Sequence, residues 1–385
     1  MRVLVWQWGR RGAGPKMAVE LARGLNALED CQAVLSLSEK AEILRADPSV
    51  TNDLSVRTYT TLMSLLGRVL QAPWLVRQLT ARVRRIRPDL AICAMPGPLD
   101  LLMAQALRRA GVPVVVIVHD AQAHPGDGFP GQIMLQRLLV WRADAVVALT
   151  THVAALLEVQ RCMRGRKAIV ASHPPFAFEG GTALAQPLAH GGSIRLLAFG
   201  RLLPYKGLDL LADALQEMGQ TQPGYVCRVV GKGPDAPWLH RLAHVPGVSV
   251  ENRWVPEGEI ASLLAWADVL LLPYREASQS GVGAAALAAG RWVLATNVGG
   301  LAEQFRSKPQ AVLCAPTSAG IAQALRQMIA QPPPVPEPEG NATVKADWAS
   351  MAGKLLSDLW CVLPHPAGSS AAGPVAAKPA PRTKS

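Results

Sequence analysis

Residues 268 to 303 contain two short apolar runs on either side of a small-residue segment, and this pattern restricts the fold more than any other part of the chain. The runs are Val269 to Leu272 and Trp292 to Thr296. Continuous apolar runs of this length are typical of parallel strands that are buried on both faces. The alanine-rich segment from Gly281 predicts a helix that ends at Gly290. The stretch is therefore predicted to be a β-loop-α-β unit of an α/β protein.

The loop from Pro273 to Gly281 joins the carboxyl end of the first strand to the amino end of the helix. Open α/β sheets bind ligands at this edge, where free backbone N–H groups and the helix dipole favour an anion. Glu276 adds a carboxylate that repels phosphate but hydrogen-bonds sugar hydroxyls. Phosphate and sugar side by side suggest a nucleotide-sugar. The candidate donor-binding residues, which offer amides or small hydroxyls, are Ser278, Gln279, Ser280 and Gly281.

Length and composition predict two domains. With 385 residues, 50% of them hydrophobic and 17% charged, the chain has enough apolar material for two cores of ordinary size. The six cysteines are far apart, with no C-x-x-C pair and no histidines at metal spacing. They are interpreted as core thiols in a reducing compartment, and no metal site is expected.

Apolar stretches and net charge bear on location and partners. The longest apolar runs, such as Val112 to Val118, are shorter than the roughly 20 residues that a bilayer span needs. The apolar run at the amino end is cut short by Gly9 to Gly12, unlike that of a signal peptide. A cytoplasmic location is expected. The formal charge of +11 calls for an anionic partner, which is nucleic acid, anionic lipid or a phosphorylated substrate.

Strands and helices alternate through residues 1 to 180. Strands are predicted at 2–8, 89–95, 112–118 and 143–150, and helices at 15–28, at 99–110 and from Thr151. This part is predicted to be a doubly wound, Rossmann-like domain. His119 lies at the carboxyl end of a strand, where chemistry is usual, and this position favours a functional role over a structural one. His124 follows in the same loop, with Pro125, Gly126 and Gly128.

A glycine-containing loop follows the first strand. Gly12 and Gly14 permit close approach to a ligand, and Lys16 adds a cation. The third glycine of the dinucleotide-binding fingerprint is replaced by Met17, so NAD binding is disfavoured. A plain turn and a loop that contacts phosphate or acceptor both remain open.

Residues 54 to 88 carry seven arginines and no acid. Val76, Leu79, Val83 and Ile86 recur at helical spacing, so the segment predicts a helix with one basic and one apolar side, with Trp74 near its start. Two interpretations stay open: a helix that lies on an anionic membrane, or a solvated basic face docked on the sheet. The arginines are Arg57, Arg68, Arg77, Arg82, Arg84, Arg85 and Arg87.

A second doubly wound domain is predicted over residues 194–340, after a linker at 181–193. Arg201 and Lys206 flank a loop before a helix, where two cations and the helix dipole favour a diphosphate. The turn after the next strand suits close approach of a base or phosphate. The donor-binding candidates in these loops are Gly200, Gly231, Lys232, Gly233 and Val255.

The end of the chain differs in composition. Residues 331–340 form a proline-rich connector, and the apolar spacing within 341–363 predicts one more amphipathic helix, with Trp348 and Trp360 on its apolar side. Residues 364–385, rich in Ala, Pro, Gly and Ser, are predicted to be disordered.

With these pieces placed, the chain resembles the family 4 glycosyltransferases of the GT-B fold. The resemblance covers nearly the whole chain before the tail, and rests on five motifs in this order: HDAQAHPG (119–126), FGRLLPYKGLDLL (199–211), VVGKGP (229–234), ADVLLLPYREASQSG (267–281) and TNVGGLAE (296–303). It implies two Rossmann-like domains facing a cleft, with the nucleotide-sugar donor held mainly by the second and the acceptor by the first. It also implies a last helix that crosses back to the first domain, and metal-independent transfer with retention at the anomeric carbon. The sequence contains no D-x-D motif.

The resemblance also assigns residues. Arg201 and Lys206 match the pair that binds the diphosphate, and Glu276 matches the first acid of the E-x7-E motif, which contacts the transferred sugar. His119 matches the histidine near the acceptor and the anomeric carbon. The loop of Gly12, Gly14 and Lys16 matches the turn that faces the donor phosphates.

The chain departs from the family pattern at one position. Ala284 stands where the second acid of E-x7-E is expected to hold the ribose hydroxyls. Reduced donor affinity, another ribose partner and an inactive protein all remain open.

The predicted function is transfer of a sugar from a nucleotide-diphosphate sugar, without a further cofactor, to a glycan, lipid-linked or other acceptor. A role in cell-surface polysaccharide or glycolipid synthesis is predicted, with a cytoplasmic location, peripheral on the inner membrane face if the Arg57–Arg87 region binds anionic lipid. The alternatives are an epimerase or hydrolase that acts on nucleotide-sugars, and a non-catalytic, membrane-associated protein that has kept the fold. Nucleic acid is disfavoured, because basic residues interleaved with stacking aromatics are absent.

Overall fold

Two parallel six-stranded sheets form the framework of the protein. The computed structural model describes residues 1–124, 126, 131–176, 192–219, 224–334 and 341–363. The elements of the first domain are β1 (Arg2–Gln7), α1 (Ala13–Asn26), β2 (Gln32–Leu37), α2 (Ile43–Ala46), α3 (Leu62–Leu70), α4 (Ala72–Ile86), β3 (Leu90–Cys93), α5 (Asp100–Ala110), β4 (Val114–Val118), α6 (Gln132–Arg142), β5 (Ala145–Ala148), α7 (Thr151–Glu158) and β6 (Ile169–Val170).

The second domain repeats this alternation. Its elements are β7 (Ile194–Phe199), α8 (Leu208–Glu217), β8 (Tyr225–Gly231), α9 (Pro237–Ala243), β9 (Val248–Asn252), α10 (Glu257–Trp266), β10 (Val269–Leu272), α11 (Gly281–Ala288), β11 (Trp292–Thr296), α12 (Gly299–Phe305), β12 (Ala311–Cys314) and α13 (Ser318–Ala330). The last helix, α14, spans Asn341–Trp360.

Strand order in both sheets is that of doubly wound domains. The first sheet runs β2-β1-β3-β4-β5-β6, the second β12-β11-β10-β7-β8-β9, and neighbouring strands are parallel. Helices cover both faces, so alternate residues of one strand enter different cores. On β1, Val3 and Val5 join one core, and Leu4 and Trp6 join the other. The predicted fold, two Rossmann-like α/β domains, is confirmed.

Helix α14 returns to the first domain, as predicted. Trp348, Leu355 and Leu359 are buried in the same core as Val3 and Val5. The Trp348 indole Nε1 donates to the Pro175 carbonyl at 2.8 Å. The helix lies directly on α1, because a Cβ atom on Gly24 would lie only 2.5 Å from the Trp348 carbonyl oxygen. The first domain therefore completes its core with the last helix of the described chain.

The arginine-rich segment differs from its prediction. It forms two helices, α3 and α4, that meet at Gln71, rather than one. Pro73 lies in the first turn of α4, where proline suits a new helix and disfavours the continuation of an earlier one. Val76, Leu79 and Val83 are buried as predicted, whereas α3 has no buried residue.

Several other features depart from the sequence predictions or lie beyond them. Helix α1 begins at Ala13, two residues before Pro15. The patterns did not predict β2, α2, α6, β6, α9, α12, β12 or α13. Some predicted features lie outside the described residues: Pro125, Gly128, the tail at 364–385 and residues 181–191 of the linker. The domain boundaries stay predictions.

No helix of the described ranges has both the length and the apolar character that a bilayer crossing requires.

Candidate active site

The carboxyl ends of strands in both sheets meet, and side chains from the two domains contact each other there. Gln279, in the loop after β10, donates through Nε2 to His119 Nδ1 at 3.0 Å. Nearby, Thr151 Oγ1 donates to Glu303 Oε2 at 2.6 Å. The predicted loop 273–281 therefore lies against the first domain, at the edge where open α/β sheets bind ligands.

His119 is buried at the end of β4 and is held on both ring nitrogens. Its Nε2 lies 2.9 Å from the Ala94 carbonyl oxygen, which can only accept, so Nε2 carries the proton. Its Nδ1 then accepts from Gln279. Burial lowers the pKa of His119, and the hydrogen bond to Ala94 opposes this shift. The imidazole is therefore neutral, and it is fixed across the interface between the domains.

His124 bridges two carboxylates across the same interface. Its Nε2 lies 3.0 Å from Asp120 Oδ1, and its Nδ1 lies 2.9 Å from Glu276 Oε1 in the second domain. The ring stacks on Tyr205 with centroids 4.6 Å apart. Burial lowers the pKa of His124, but the hydrogen bonds to Asp120 and Glu276 outweigh it, and the pKa is raised. The protonated ring can donate to both carboxylates.

Sequence reasoning placed His124 in the loop but gave it no role. Its only signal was its spacing from His119, since its partner Glu276 is 152 residues away. Burial raises the pKa of Asp120, but the hydrogen bond from His124 and further polar contacts outweigh it, and the pKa is lowered. Asp120 therefore remains ionised opposite His124.

The two cations predicted to bind a diphosphate share an aromatic neighbour. Lys206 lies in a 3₁₀ turn, Pro204–Lys206, and its Nζ is 3.7 Å from the Tyr274 ring centroid and 4.8 Å from that of Tyr205. Arg201 Nη2 donates to the Tyr205 hydroxyl at 3.4 Å. Tyr205 and Tyr274 were not predicted as site residues. Together the tyrosines bring Arg201 and Lys206 to one place, beside the His124–Glu276 bridge.

The loops after β7 and β8 are glycine-rich because their backbones touch. A Cβ atom on Gly231 would lie 1.6 Å from the Gly200 carbonyl oxygen, and one on Gly233 would lie 2.1 Å from that of Leu202. Lys232 is exposed beside them. Gly231 and Gly233 are thus required for loop packing, and their contact with a donor stays a prediction, as do those of Gly200 and Lys232.

The glycines of the loop after β1 also have structural roles. Gly12 is exposed with a φ of 81°, a left-handed conformation that favours glycine, whereas Gly14 is packed on the Gln7 side chain. The buried Lys16 ammonium forms an ion pair with Glu257 of α10. Val255 is buried in a core of the second domain. Contact of these residues with donor phosphates stays a prediction, and for Lys16 it requires exchange of its carboxylate partner.

Residues at the start of α11 are engaged in hydrogen bonds within the protein. Ser280 caps the helix, with its Oγ accepting from Gly283 N at 3.2 Å, and its backbone N–H donates to Gln304 Oε1 at 2.8 Å. Ser278 hydrogen-bonds Asp120. Gly281 is the first residue of α11. The Ser280 groups predicted to bind donor are thus engaged within the protein.

Two sequence families match the two halves of this architecture. The family described as "Glycosyl transferase 4-like domain" matches residues 12–172, and "Glycosyl transferases group 1" matches residues 193–331. This chain belongs to the GT-B glycosyltransferases. The predicted resemblance is confirmed at this level.

Curated relatives of this GT-B protein include several glycosyltransferases. It is 27% identical to a 2-deoxystreptamine glucosyltransferase from Streptomyces kanamyceticus over 72% of this chain and 78% of that one. It is 33% identical to the glycogen synthase of Mycobacterium tuberculosis over 37% of this chain, which spans only 35% of that relative.

Solved structures similar to the GT-B chain agree with its fold. One is the Anabaena protein HepE, solved in complex with UDP and glucose, with a TM-score of 0.66 and 16% identity over 94% of this chain and all of that one (100%). Another is the UDP-GlcNAc 2-epimerase of Neisseria meningitidis bound to UDP-GlcNAc, with a TM-score of 0.57 and 11% identity over 94% and 100% of the two chains. At these identities the likeness concerns the fold alone.

The His124 bridge predicts a pH-dependent stability. The pKa of His124 is raised in the folded state. The bridge therefore stabilises the folded protein fully at pH values below the pKa of an unfolded histidine, about 6.5, and this stabilisation is lost as the pH rises through the pKa of the folded state. We expect the melting temperature of the wild type to fall more steeply between about pH 6.5 and 8 than that of His124→Gln. Thermal melts across this range measure it.

His240→Gln is the control, because His240 is an exposed histidine of α9 that pairs with Asp235 within the second domain. This variant should keep the wild-type dependence of melting temperature on pH. An unchanged slope in His124→Gln would show that the bridge carries no titrating proton.

Proposed function

We propose that the protein transfers a sugar from a nucleotide-diphosphate sugar to an acceptor held against the first domain, with retention and without a metal ion. The observation that carries this proposal is the convergence of Arg201 and Lys206 on Tyr205, beside the Glu276 carboxylate. Family membership supports it, and so do similar folds solved with UDP or UDP-glucose.

In this mechanism the leaving group is a nucleoside diphosphate, so positive charge is needed where negative charge develops. Arg201 and Lys206 supply it, and the dipole at the start of α11 adds to it. The Glu276 side chain is 50% exposed. When the donor binds, its carboxylate exchanges the hydrogen bond to His124 for hydrogen bonds to sugar hydroxyls. Asp120 is held by His124 and Ser278, so we assign no covalent nucleophile and favour departure and attack on the same sugar face. Closure of the cleft excludes water.

His119 has a positioning role in the proposal. Its neutral ring accepts from Gln279, and this contact joins the acceptor-side sheet to the donor-side loop. The Nδ1 atom becomes available to an acceptor hydroxyl when the Gln279 amide turns toward the donor. The His119 side chain then accepts a hydrogen bond from this hydroxyl near the anomeric carbon.

Two measurements test the proposal. A panel of nucleotide-sugars in thermal-shift assays identifies the donor, because a ligand of the native state raises its melting temperature. Product analysis with and without acceptors then separates the alternatives. A transferase releases nucleoside diphosphate only with an acceptor, a hydrolase releases free sugar without one, and an epimerase changes the sugar while it stays on the nucleotide. Absence of any stabilising nucleotide would favour a non-catalytic protein.

Ala284 leads to a specific prediction about the ribose site. Ala284 is half-buried on α11, and its neighbour Gly283 is so tightly packed that a Cβ there would lie 2.5 Å from Phe305 Cζ. We expect Ala284→Glu to bind UDP less than tenfold more tightly than the wild type. We infer a pocket shaped around another ribose contact, in which a partly buried carboxylate without a partner costs up to several kcal/mol.

Calorimetric titration of UDP measures the effect, with Ala284→Gln as the control of equal size without the charge. If the glutamate but not the glutamine tightened binding tenfold or more, at unchanged stability, the ribose site would instead follow the family pattern.

A further inference from the structure

A small cavity lies at the end of β2, on the acceptor side of the cleft. It has a volume of about 120 Å³, and its lining includes four cationic side chains, Arg10, Lys40, Arg57 and Arg68, and one carboxylate, Glu39. Hydroxyl groups, among them that of Ser64, complete the wall. The excess of three positive charges and the small volume fit one phosphate group.

Two of the cations of this cavity, Arg10 and Arg68, are held by neutral groups. Arg10 Nη2 donates to the Thr60 carbonyl at 3.2 Å, and Arg68 donates to the Thr58 carbonyl at 3.4 Å and to Gln71 Oε1 at 3.1 Å. Among the contacts described for the chain, no carboxylate lies within ion-pair distance of Arg57 or Arg68. Their charge is therefore available to an anion from outside.

Beside the cavity, helix α3 exposes an apolar surface that we call the apolar ridge. Leu70 is 84% exposed, Met63 76% and Leu62 72%. The helix has no fully buried residue, although Leu65 packs against the core and Arg68, in its last turn, lines the cavity. Isolated exposed apolar residues are ordinary, but a contiguous set marks a membrane or protein contact. The ridge consists of Leu62, Met63, Leu66, Val69, Leu70 and, from α4, Trp74.

The charge of the surrounding surface favours a membrane over a protein as the partner of the apolar ridge. Residues 54 to 88, which include the ridge, carry seven arginines and no acid. Arg77, Arg82, Arg84 and Arg85 are all exposed on α4. A membrane leaflet with anionic lipids presents apolar chains next to phosphates, which matches an apolar ridge bordered by cations and a phosphate-sized cavity.

We propose that the apolar ridge enters an anionic lipid leaflet while a lipid phosphate occupies the cavity of Arg10, Lys40, Arg57 and Arg68. This inference rests on the proposed function and names its acceptor class, a lipid-linked phosphate or a sugar joined to one. The cavity lies at β2 and His119 at β4, three strand spacings or about 14 Å along the same edge of the sheet. A lipid phosphate in the cavity therefore leaves its sugar end within reach of the cleft.

Vesicle sedimentation tests this inference without a donor. We expect binding to vesicles of phosphatidylcholine and phosphatidylglycerol at low salt, loss at high salt, and little binding to phosphatidylcholine alone. Arg57→Gln with Arg68→Gln should weaken binding at least tenfold, as should Leu66→Ser with Leu70→Ser. Arg57→Gln alone, at an exposed position, serves if the double variants melt early.

Matched controls lie elsewhere on the surface. Arg306→Gln and Val159→Ser change an exposed arginine and a valine that is 83% exposed, outside the ridge, and should bind vesicles as the wild type does. Equal binding to neutral vesicles, or ridge and cavity variants that behave like these controls, would overturn the inference. So would a failure of millimolar glycerol phosphate, at constant ionic strength, to weaken vesicle binding, because a lipid phosphate in the cavity must compete with it.

The UDP-induced melting shift, measured on the same variants, separates this inference from the proposed function. A wild-type protein that shows the UDP shift but does not bind anionic vesicles would reject only the membrane site. Vesicle binding kept without any nucleotide effect would reject the transferase.

Discussion

Lys206→Ala and Arg201→Ala should each lower turnover at least 10²-fold while the protein stays folded. Both side chains reach Tyr205 at the carboxyl edge of the second sheet, where the proposed diphosphate departs. A hundredfold loss corresponds to about 2.7 kcal/mol of transition-state stabilisation, the size expected for removing one charge-stabilising group. Since the charge develops as the bond breaks, kcat should fall more than KM rises.

Steady-state kinetics with the donor identified by thermal shift measures this effect. Lys308→Ala removes an exposed lysine of the same domain and is the control for loss of charge alone. Wild-type turnover in both Arg201→Ala and Lys206→Ala would remove the assignment of the diphosphate site. A loss in Lys308→Ala of the same size would point to net charge instead of position.

Gly300→Ala should displace the donor loop and destabilise the protein. A Cβ atom at this position would lie 1.7 Å from the Ser278 carbonyl oxygen and 3.3 Å from Thr150 Cγ2 of the first domain. Real Cβ atoms do not approach backbone oxygens so closely, so the loop that carries Glu276 and Gln279 must move. Overpacking of this kind costs about 3 kcal/mol, and the displaced loop should also weaken UDP binding.

Gly258→Ala provides the comparison, because a Cβ on Gly258, in the first turn of α10, would meet nothing within 4 Å. It should leave stability unchanged or raise it by up to about 1 kcal/mol. Denaturant unfolding and UDP titration of the two variants give both quantities. Equal stability of Gly300→Ala and Gly258→Ala would mean that the loop tolerates a different position.

The sequence alone predicts the framework, because buried parallel strands have a pattern that few other structures share. Val269 to Leu272 and Trp292 to Thr296 are neighbours in one sheet, as their apolar runs predicted. The same pattern places Arg201, Lys206 and Glu276 at strand ends. Strands such as β12, Ala311–Cys314, escaped prediction because four half-buried residues carry little pattern.

The missing part of the site depends on how the two domains face each other. His124 and Glu276 are 152 residues apart, and nothing local to either indicates the other. The role of Tyr205 likewise appears only when the 3₁₀ turn places its ring under His124. The sequence did show the Lys16 cation, but its Glu257 partner belongs to the other domain. Pairings across an interface leave no periodicity along the chain.

The return of α14 to the first domain has a consequence for biosynthesis. Trp348 belongs to the core formed by β1 and α1, and roughly 320 residues separate it from Gly24. At about 5 to 20 residues per second, a ribosome needs roughly 15 to 60 s to deliver that helix after α1 has emerged. During this interval the α1 surface is uncovered and available to chaperones. The second domain, complete at α13, is therefore expected to finish folding first, although it is made later.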